Sequence, residues 1–260
     1  MKNKTKQLIK KFYLFFCYAL QSLFKSNPII KRVIVFHNIR DKNVFRKRMK
    51  WLKENYKIVS LNELVFQKDN SSRLAITFDD GYADWFENAY PILKEFNMPA
   101  TFFVCSGLLN LTNEQQLDFV KNNLKRNQKL RLININQLKE IVGDDLFDIG
   151  SHTVNHIDLG RDNSEDLWRA EIIRDKTSLE SIVNKKVSWF SYPFGAKSNI
   201  NHLLEDFLKK AGFVGALSFI LGSANRVSDL FKIPRTPLSF SDPIWMWSSI
   251  IHGYWDWTKK

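Results

Sequence analysis

Two adjacent carboxylates follow an apolar, strand-like stretch in the first third of the chain. The sequence LAITFDDGY (74–82) leads from residues typical of a buried strand into Asp79 and Asp80, and Gly81 comes next. Glycine allows a sharp backbone turn, so both carboxylates can face one cavity at the end of the strand. Two bare carboxylates this close repel each other, and a nearby cation removes that cost. The pair therefore indicates a cation site, although an isolated pair of aspartates is more often a solvated turn.

Two histidines offer further ligands for such a cation. His152 and His156 lie in DIGSHTVNH (148–156), directly after a second predicted strand. We expect the pair on one turn of helix, because a spacing of four residues places both imidazoles on the same side. Two imidazoles and one carboxylate, with positions left for water, are the ligand pattern of a catalytic zinc ion.

A third loop comes after the predicted strand that ends at Tyr192. Pro193 and Gly195 in SYPFGAK (191–197) predict a tight turn. The aromatic side chain of Tyr192 or Phe194 could form one wall of a pocket there. Taken alone, this loop is only a turn signal.

Alternating strands and helices are needed to bring these three loops together. Buried strands are predicted at Val33–Phe36, Leu74–Phe78, Ala100–Cys105, Leu146–Ile149, Trp189–Tyr192, Phe213–Ser218 and Lys232–Ile233. Amphipathic helices are predicted at Asn43–Glu54, Trp85–Phe96, Ile135–Ile141 and Ser164–Val183. This alternation predicts an α/β fold with a parallel sheet, open or closed into a barrel, whose site lies at the carboxyl ends of the strands. The polar stretch 106–130 is expected to be an insertion or a lid.

In this order and spacing, TFDDGY (77–82), SHTVNH (151–156) and YPFG (192–195) resemble the polysaccharide deacetylase family, also called carbohydrate esterase family 4. The similarity extends from VIVFHNI (33–39) to KIPRTPL (232–238). The resemblance implies a distorted (β/α)7–8 barrel.

The resemblance also implies roles for individual residues. Asp79 would be the general base, while Asp80, His152 and His156 would hold a divalent metal, commonly Zn²⁺. Tyr192 would lie on the loop whose backbone amide helps to bind the oxyanion.

The source of the proton for the leaving amine departs from the family pattern. Many members have an arginine shortly before the proline of the third motif and a late Leu-x-His, and neither is present here. His37, at the end of the first predicted strand, is the candidate catalytic residue that we favour, although it could be a packed histidine. His252 in the C-terminal tail is another candidate for the acid. Arg235 is a candidate replacement for the missing charge partner.

The predicted function is that of a metal-dependent deacetylase. It would hydrolyse the amide of an N-acyl group, acetyl in the first instance, on an amino sugar of a polysaccharide or a lipid-linked glycan precursor of the cell envelope. The alternative is a catalytically inactive sugar-binding or membrane-scaffold protein on the same fold. A metal phosphoesterase is disfavoured because the sequence shows ligands for only one metal.

Basic residues are concentrated at the N-terminus. Residues 1–60 contain 16 Lys and Arg against 2 Asp and Glu, a net charge of +14, whereas the remainder carries −2. No recognition motif for nucleic acid accompanies this charge, so no nucleic-acid partner is expected. A solvated lysine-rich surface and attraction to an anionic membrane both remain open.

The chain divides into three predicted parts: a basic amphipathic segment (1–32), a catalytic domain (33–240) and an aromatic tail (241–260). The apolar run from Phe12 to Phe24 is shorter than the roughly 20 residues that cross a bilayer. We therefore predict an interfacial helix, with an uncleaved signal anchor as the alternative. The tail either packs on the barrel or, with residues 1–32, contacts the membrane through 242–260. These features predict a cytoplasmic protein that is peripheral at the inner membrane.

Overall fold

The protein was analysed as a computed structural model that describes residues 12, 13, 15, 16, 19 and 29–256, except 69, 127–129, 163 and 226–228. Most of the predicted N-terminal helix therefore lies outside the described residues. In the part that is described, no helix has the length and apolar character needed to cross a membrane.

Seven parallel strands close into a barrel, which confirms the predicted fold. The eight strands of the described chain are β1 (Lys31–Phe36), β2 (Lys57–Ile58), β3 (Arg73–Phe78), β4 (Ala100–Val104), β5 (Phe147–Ser151), β6 (Trp189–Ser191), β7 (Gly215–Leu221) and β8 (Ile233–Pro237). The barrel closes because β1 pairs in parallel with both β3 and β8. The short strand β2, which the sequence did not predict, pairs with the start of β3 outside this ring.

Helices follow most of the strands and cover the barrel. They are α1 (Lys42–Asn55), α2 (Leu61–Phe66), α3 (Tyr90–Glu95), α4 (Asn113–Asn122), α5 (Ile135–Val142), α6 (Glu165–Trp168), α7 (Arg174–Val183), α8 (His202–Lys210) and α9 (Ile244–Ile251). Two helices predicted as continuous contain a π-helical turn, at Trp85–Ala89 before α3 and at Arg169–Ile173 between α6 and α7.

Helix α1 illustrates how the sequence determines an element. The Asp41 side chain accepts hydrogen bonds from the amides of Asn43 and Val44 and so caps the first turn. The apolar residues Phe45, Met49 and Leu52 are fully buried and lie on one face, three or four positions apart. The helix therefore begins at its cap and packs its apolar stripe against the barrel, as the pattern predicts.

Helix α9 also packs on the barrel, which is one of the two arrangements predicted for the tail. Trp247 and Ile251 are fully buried, and the Trp247 ring lies 5.8 Å from that of Phe36. Beyond the helix, Arg32 forms an ion pair of 2.7 Å with Asp256. These contacts attach the C-terminal segment to β1.

Candidate functional site

A cavity of about 440 Å³ opens at the carboxyl ends of the strands. All six residues predicted for the site line it: His37, Asp79, Asp80, His152, His156 and Tyr192. The barrel places them together because its parallel strands all end at the same rim. The polar stretch 106–130 contributes Leu124, Lys125 and Arg126 to the wall, so part of the predicted insertion borders the site.

Asp80, His152 and His156 form a compact group of buried metal-type ligands. The Nε2 atoms of His152 and His156 lie 3.5 Å and 3.4 Å from the same oxygen, Asp80 Oδ1. Donor atoms around a tetrahedral ion with bonds of about 2.0–2.1 Å stand about 3.4 Å apart. The spacing therefore fits one small divalent ion.

Hydrogen bonds at the other ring nitrogens support the same conclusion. His152 Nδ1 lies 2.7 Å from the carbonyl oxygen of Ser191, and His156 Nδ1 lies 3.1 Å from that of Asn123. Because a carbonyl oxygen can only accept, each Nδ1 carries the hydrogen, and in the neutral ring Nε2 is bare. Each Nε2 is therefore the nitrogen that can direct a lone pair at a cation shared with Asp80 Oδ1.

The local backbone differs from the predicted turn of helix between the two histidines. His152 and His156 lie on a non-helical loop after β5 in which Thr153 and His156 have φ values of 65° and 54°. The helical prediction was wrong, because spacing alone does not separate a helical turn from a loop that bends back. Asp80 also has a left-handed backbone, with φ 86°, and its Oδ2 accepts a 2.9 Å hydrogen bond from the Tyr82 hydroxyl.

Two buried acids on the helical segment between β5 and β6 hold this loop. Glu171 accepts hydrogen bonds from both the amide and the side chain of Asn155, at 2.9 Å and 2.7 Å. Asp175 accepts from the Ser151 hydroxyl at 2.6 Å and from the His152 amide at 3.2 Å, and burial raises its pKa to about 7. Sequence reasoning missed both residues, although acids four apart on a helical segment were a usable signal.

Asp79 is bound on both oxygens by one arginine. Arg235 Nη1 and Nη2 donate to Asp79 Oδ1 and Oδ2 at 2.7 Å and 2.6 Å, and the Ser191 hydroxyl donates to Oδ2 at 3.1 Å. Burial alone would raise the pKa of Asp79, but the charge and hydrogen bonds of Arg235, together with the nearby His152 and His37, outweigh burial and lower that pKa. Arg235 thus takes the place of the missing charge partner, from β8 rather than from the third motif.

Tyr192 lines the cavity, but its own polar groups are engaged elsewhere. Its amide donates to the Leu217 carbonyl at 3.1 Å, and its hydroxyl donates to the Phe231 carbonyl at 3.0 Å. The next amide of the loop that can donate is that of Phe194, which has φ 62° and no hydrogen-bond acceptor within the described chain. The predicted loop therefore offers a backbone donor at Phe194, whereas the amide of Tyr192 is already engaged.

His37 lies in the cavity at the end of β1. The Trp85 indole donates to its carbonyl oxygen at 2.7 Å, which holds the backbone of this strand end. Burial lowers the pKa of His37, against the opposing effect of the nearby Asp80 and Asp79. His252, the other candidate, hydrogen-bonds to Ser248 at the end of α9 and is not a lining residue of the cavity.

Known proteins resemble this chain in sequence and in fold. Residues 67–216 match the family model described as polysaccharide deacetylase. The chain is 28% identical over 228 residues to the poly-beta-1,6-N-acetyl-D-glucosamine N-deacetylase of Staphylococcus aureus. The aligned region covers 83% of this chain and 71% of that protein.

Two solved structures share the barrel. IcaB from Ammonifex degensii matches with a TM-score of 0.68 at 19% identity and covers 87% of this chain and 97% of that one. The Streptococcus pyogenes deacetylase PplD in complex with acetate matches with a TM-score of 0.68 at 20% identity, covering 86% and 99%. At these identities, the matches establish the fold.

Proposed function

This chain belongs to the polysaccharide deacetylase family, and on that premise we propose that it hydrolyses the N-acetyl group of an amino sugar in a metal-dependent reaction. Family membership supports a hydrolase that acts on amide bonds and the N-deacetylation of a polysaccharide. The observation that carries the metal dependence is the approach of two histidine Nε2 atoms, at 3.5 Å and 3.4 Å, to one oxygen of Asp80. We extend the substrate class to lipid-linked glycan precursors.

Asp80, His152 and His156 would hold the metal, and their one oxygen and two nitrogen donors favour Zn²⁺. A divalent ion supplies two effects when bound, since it lowers the pKa of water from about 15.7 to near 7 and polarises the acyl oxygen. The rest of the chemistry belongs to the side chains and amides around it.

Asp79 is the proposed general base that takes the proton of the attacking water. Its Oδ1 accepts from Arg235 Nη1 alone among the described residues, so a second lone pair is available. Because Arg235 lowers the pKa of Asp79, the carboxylate is ionised at neutral pH. The Phe194 amide, on the loop after β6 that also carries Tyr192, would donate to the oxyanion, a contact worth about 2.7–4 kcal/mol when well aligned.

His37 is the proposed route for the proton that the leaving nitrogen needs. Because burial lowers its pKa, the ring is neutral before the reaction. A neutral imidazole has one N–H and one bare nitrogen, so it can relay a proton within the cavity. In this role, the His37 ring does not need to be protonated on both nitrogens before the reaction begins.

Acyl release from defined sugars tests the function. The zinc-loaded protein is expected to release acetate from at least one N-acetylated sugar in a panel of free, polymeric and lipid-linked forms, to stop when the metal is chelated and to resume when zinc is restored. N-formylated sugars in the same panel test the choice of acyl group. Sugar binding without release from any of them would instead support the catalytically inactive alternative.

We also propose peripheral contact with the cytoplasmic surface of the inner membrane, through the N-terminal segment. Phe12 and Phe16 are 74% and 60% exposed, and the Phe15 ring lies 5.6 Å from that of Trp245 on α9. Exposed aromatic side chains next to a lysine-rich sequence are typical of interfacial helices. Since α9 itself is largely buried, its part in this contact would be limited to residues such as Trp245.

Co-sedimentation with anionic liposomes at low salt tests the membrane contact. Phe12→Ser with Phe16→Ser is expected to weaken binding at least tenfold, because each buried phenylalanine contributes about 1.5–3 kcal/mol. Leu203→Ser, which changes an apolar residue that is 44% exposed on α8, should bind normally. A wild-type protein that stays in the supernatant would refute the contact, and one that resists salt and alkaline washing of native membranes would indicate the signal anchor instead.

A further inference from the structure

A second cavity, of about 280 Å³, adjoins the metal cavity. Its polar lining consists of His37, Asn38, Arg40, Tyr82, Arg126 and Ser239. His37 and Arg126 line both cavities, so a ligand that passes them can occupy the two cavities at once. We call this second space the anion cavity, for the reasons that follow.

The lining of the anion cavity is cationic and rich in donors. It contains two arginines, Arg40 and Arg126, and no Asp or Glu among its described lining residues. Asn38 Nδ2 is buried and has no hydrogen-bond partner within the described chain. A buried donor without an acceptor is costly, and a ligand oxygen would satisfy it.

Arg126 lies at the boundary between the two cavities, since it lines both of them. Tyr82, which lines the anion cavity with it, donates its hydroxyl to Asp80 Oδ2 at 2.9 Å. Arg40 follows the His37 loop, whose backbone is fixed by a 2.7 Å hydrogen bond from the Ile39 amide to Asp84. The two cations therefore belong to segments that also position the metal site.

We propose that the anion cavity binds an anionic group, phosphate or carboxylate, carried by the same amino sugar whose acyl group lies at the metal ligands. This inference rests on the proposed function for the acyl end of the substrate. Arginine suits such groups because its planar fork donates two hydrogen bonds to one phosphate or carboxylate. A neutral N-acetylglucosamine polymer has no anion for this cavity, and its deacetylated product is cationic. The substrate class is therefore an acidic or phosphorylated amino-sugar glycan.

Binding to a zinc-loaded Asp79→Asn variant, measured by calorimetry, tests the proposal without turnover. The ligands are N-acetylglucosamine, N-acetylglucosamine 1-phosphate and N-acetylmuramic acid, so that phosphate and carboxylate are compared with a neutral sugar. We expect at least one anionic ligand to bind about tenfold or more tightly than the neutral one, as expected for a hydrogen bond between charged groups. Adding Arg40→Gln or Arg126→Gln should remove most of that preference.

The control is Arg161→Gln, which removes an exposed arginine that pairs with Asp158 away from both cavities and should leave the preference unchanged. Equal affinity for neutral and anionic sugars would overturn the proposal. A preference that survives both Arg40→Gln and Arg126→Gln would also overturn it, because the anion would then bind at the metal. Acetate release by the wild-type protein is scored separately. A failure of the proposed function is therefore distinguishable from a failure of the proposal for the anion cavity.

Discussion

Replacing Asp79 by asparagine is expected to lower kcat by about 10²–10⁴-fold while the chain keeps its metal. Loss of a general base has an effect of this size, and Asp79 is paired with Arg235 rather than with the two histidines. The amide keeps the shape of the side chain but cannot take a proton from water. Acetate release and bound zinc per chain, measured on the same preparation, check both parts of the prediction.

The adjacent acid provides the matched control. Asp80→Asn should lose metal as well as turnover, because Asp80 Oδ1 is the oxygen that both histidines face. His37→Gln should keep the metal and lose turnover, in line with its proposed relay of a proton. The assignment of roles would be contradicted if Asp79→Asn turned over at the wild-type rate, or if Asp79→Asn and Asp80→Asn lost metal equally.

Replacing Arg235 by methionine is expected to have the largest effect on stability. It leaves the Asp79 carboxylate, which is only 2% exposed, without its charged partner. Removal of one member of a buried ion pair costs about 3–5 kcal/mol in the free energy of unfolding. Burial then acts with less opposition and raises the pKa of Asp79. The acid limb of the pH profile of kcat/KM should therefore move to higher pH.

In Arg235→Met, the contribution of Asp79 to the pH dependence of stability should have the opposite sign to its contribution in the wild type. In the wild-type chain the lowered pKa of Asp79 contributes stability that is present above its unfolded pKa, about 3.9, and is lost as the pH falls through the folded value. In Arg235→Met the raised pKa makes the ionised form costly, so the stability deficit should be greatest at neutral pH and smaller in acid. Urea unfolding at pH 5 and pH 8, at one fixed zinc concentration, measures the deficit of Arg235→Met, because the wild-type contribution of Asp79 changes only at more acid pH.

Two further variants separate charge from geometry. Arg235→Lys keeps the charge but not the two parallel hydrogen bonds, so it should recover only part of the stability. Adding Asp79→Asn to Arg235→Met removes the unpaired charge and should restore stability without restoring turnover. The ion pair would have little importance if Arg235→Met unfolded within about 0.5 kcal/mol of the wild type, the usual range of surface changes, and kept its pH profile.

Local sequence was sufficient for the fold class and for the residues that meet at the site. Strand and helix periods are local properties, and parallel strands that close a barrel bring their carboxyl ends to one rim. Asp79, Asp80, His37 and the histidine pair each follow a predicted strand, so their convergence could be predicted from order along the chain. The resemblance to known motifs then separated the role of Asp79 from that of Asp80.

The hydrogen-bond partners of these residues were decided only by the tertiary structure. Arg235 reaches Asp79 across 156 positions of sequence, and it can do so because β1 closes the barrel between β3 and β8. The non-helical loop at His152–His156 depends in the same way on acids from a later helical segment, Glu171 and Asp175. Residue type and period are encoded locally, whereas the partner of a buried charge depends on which distant segment packing brings within hydrogen-bond distance.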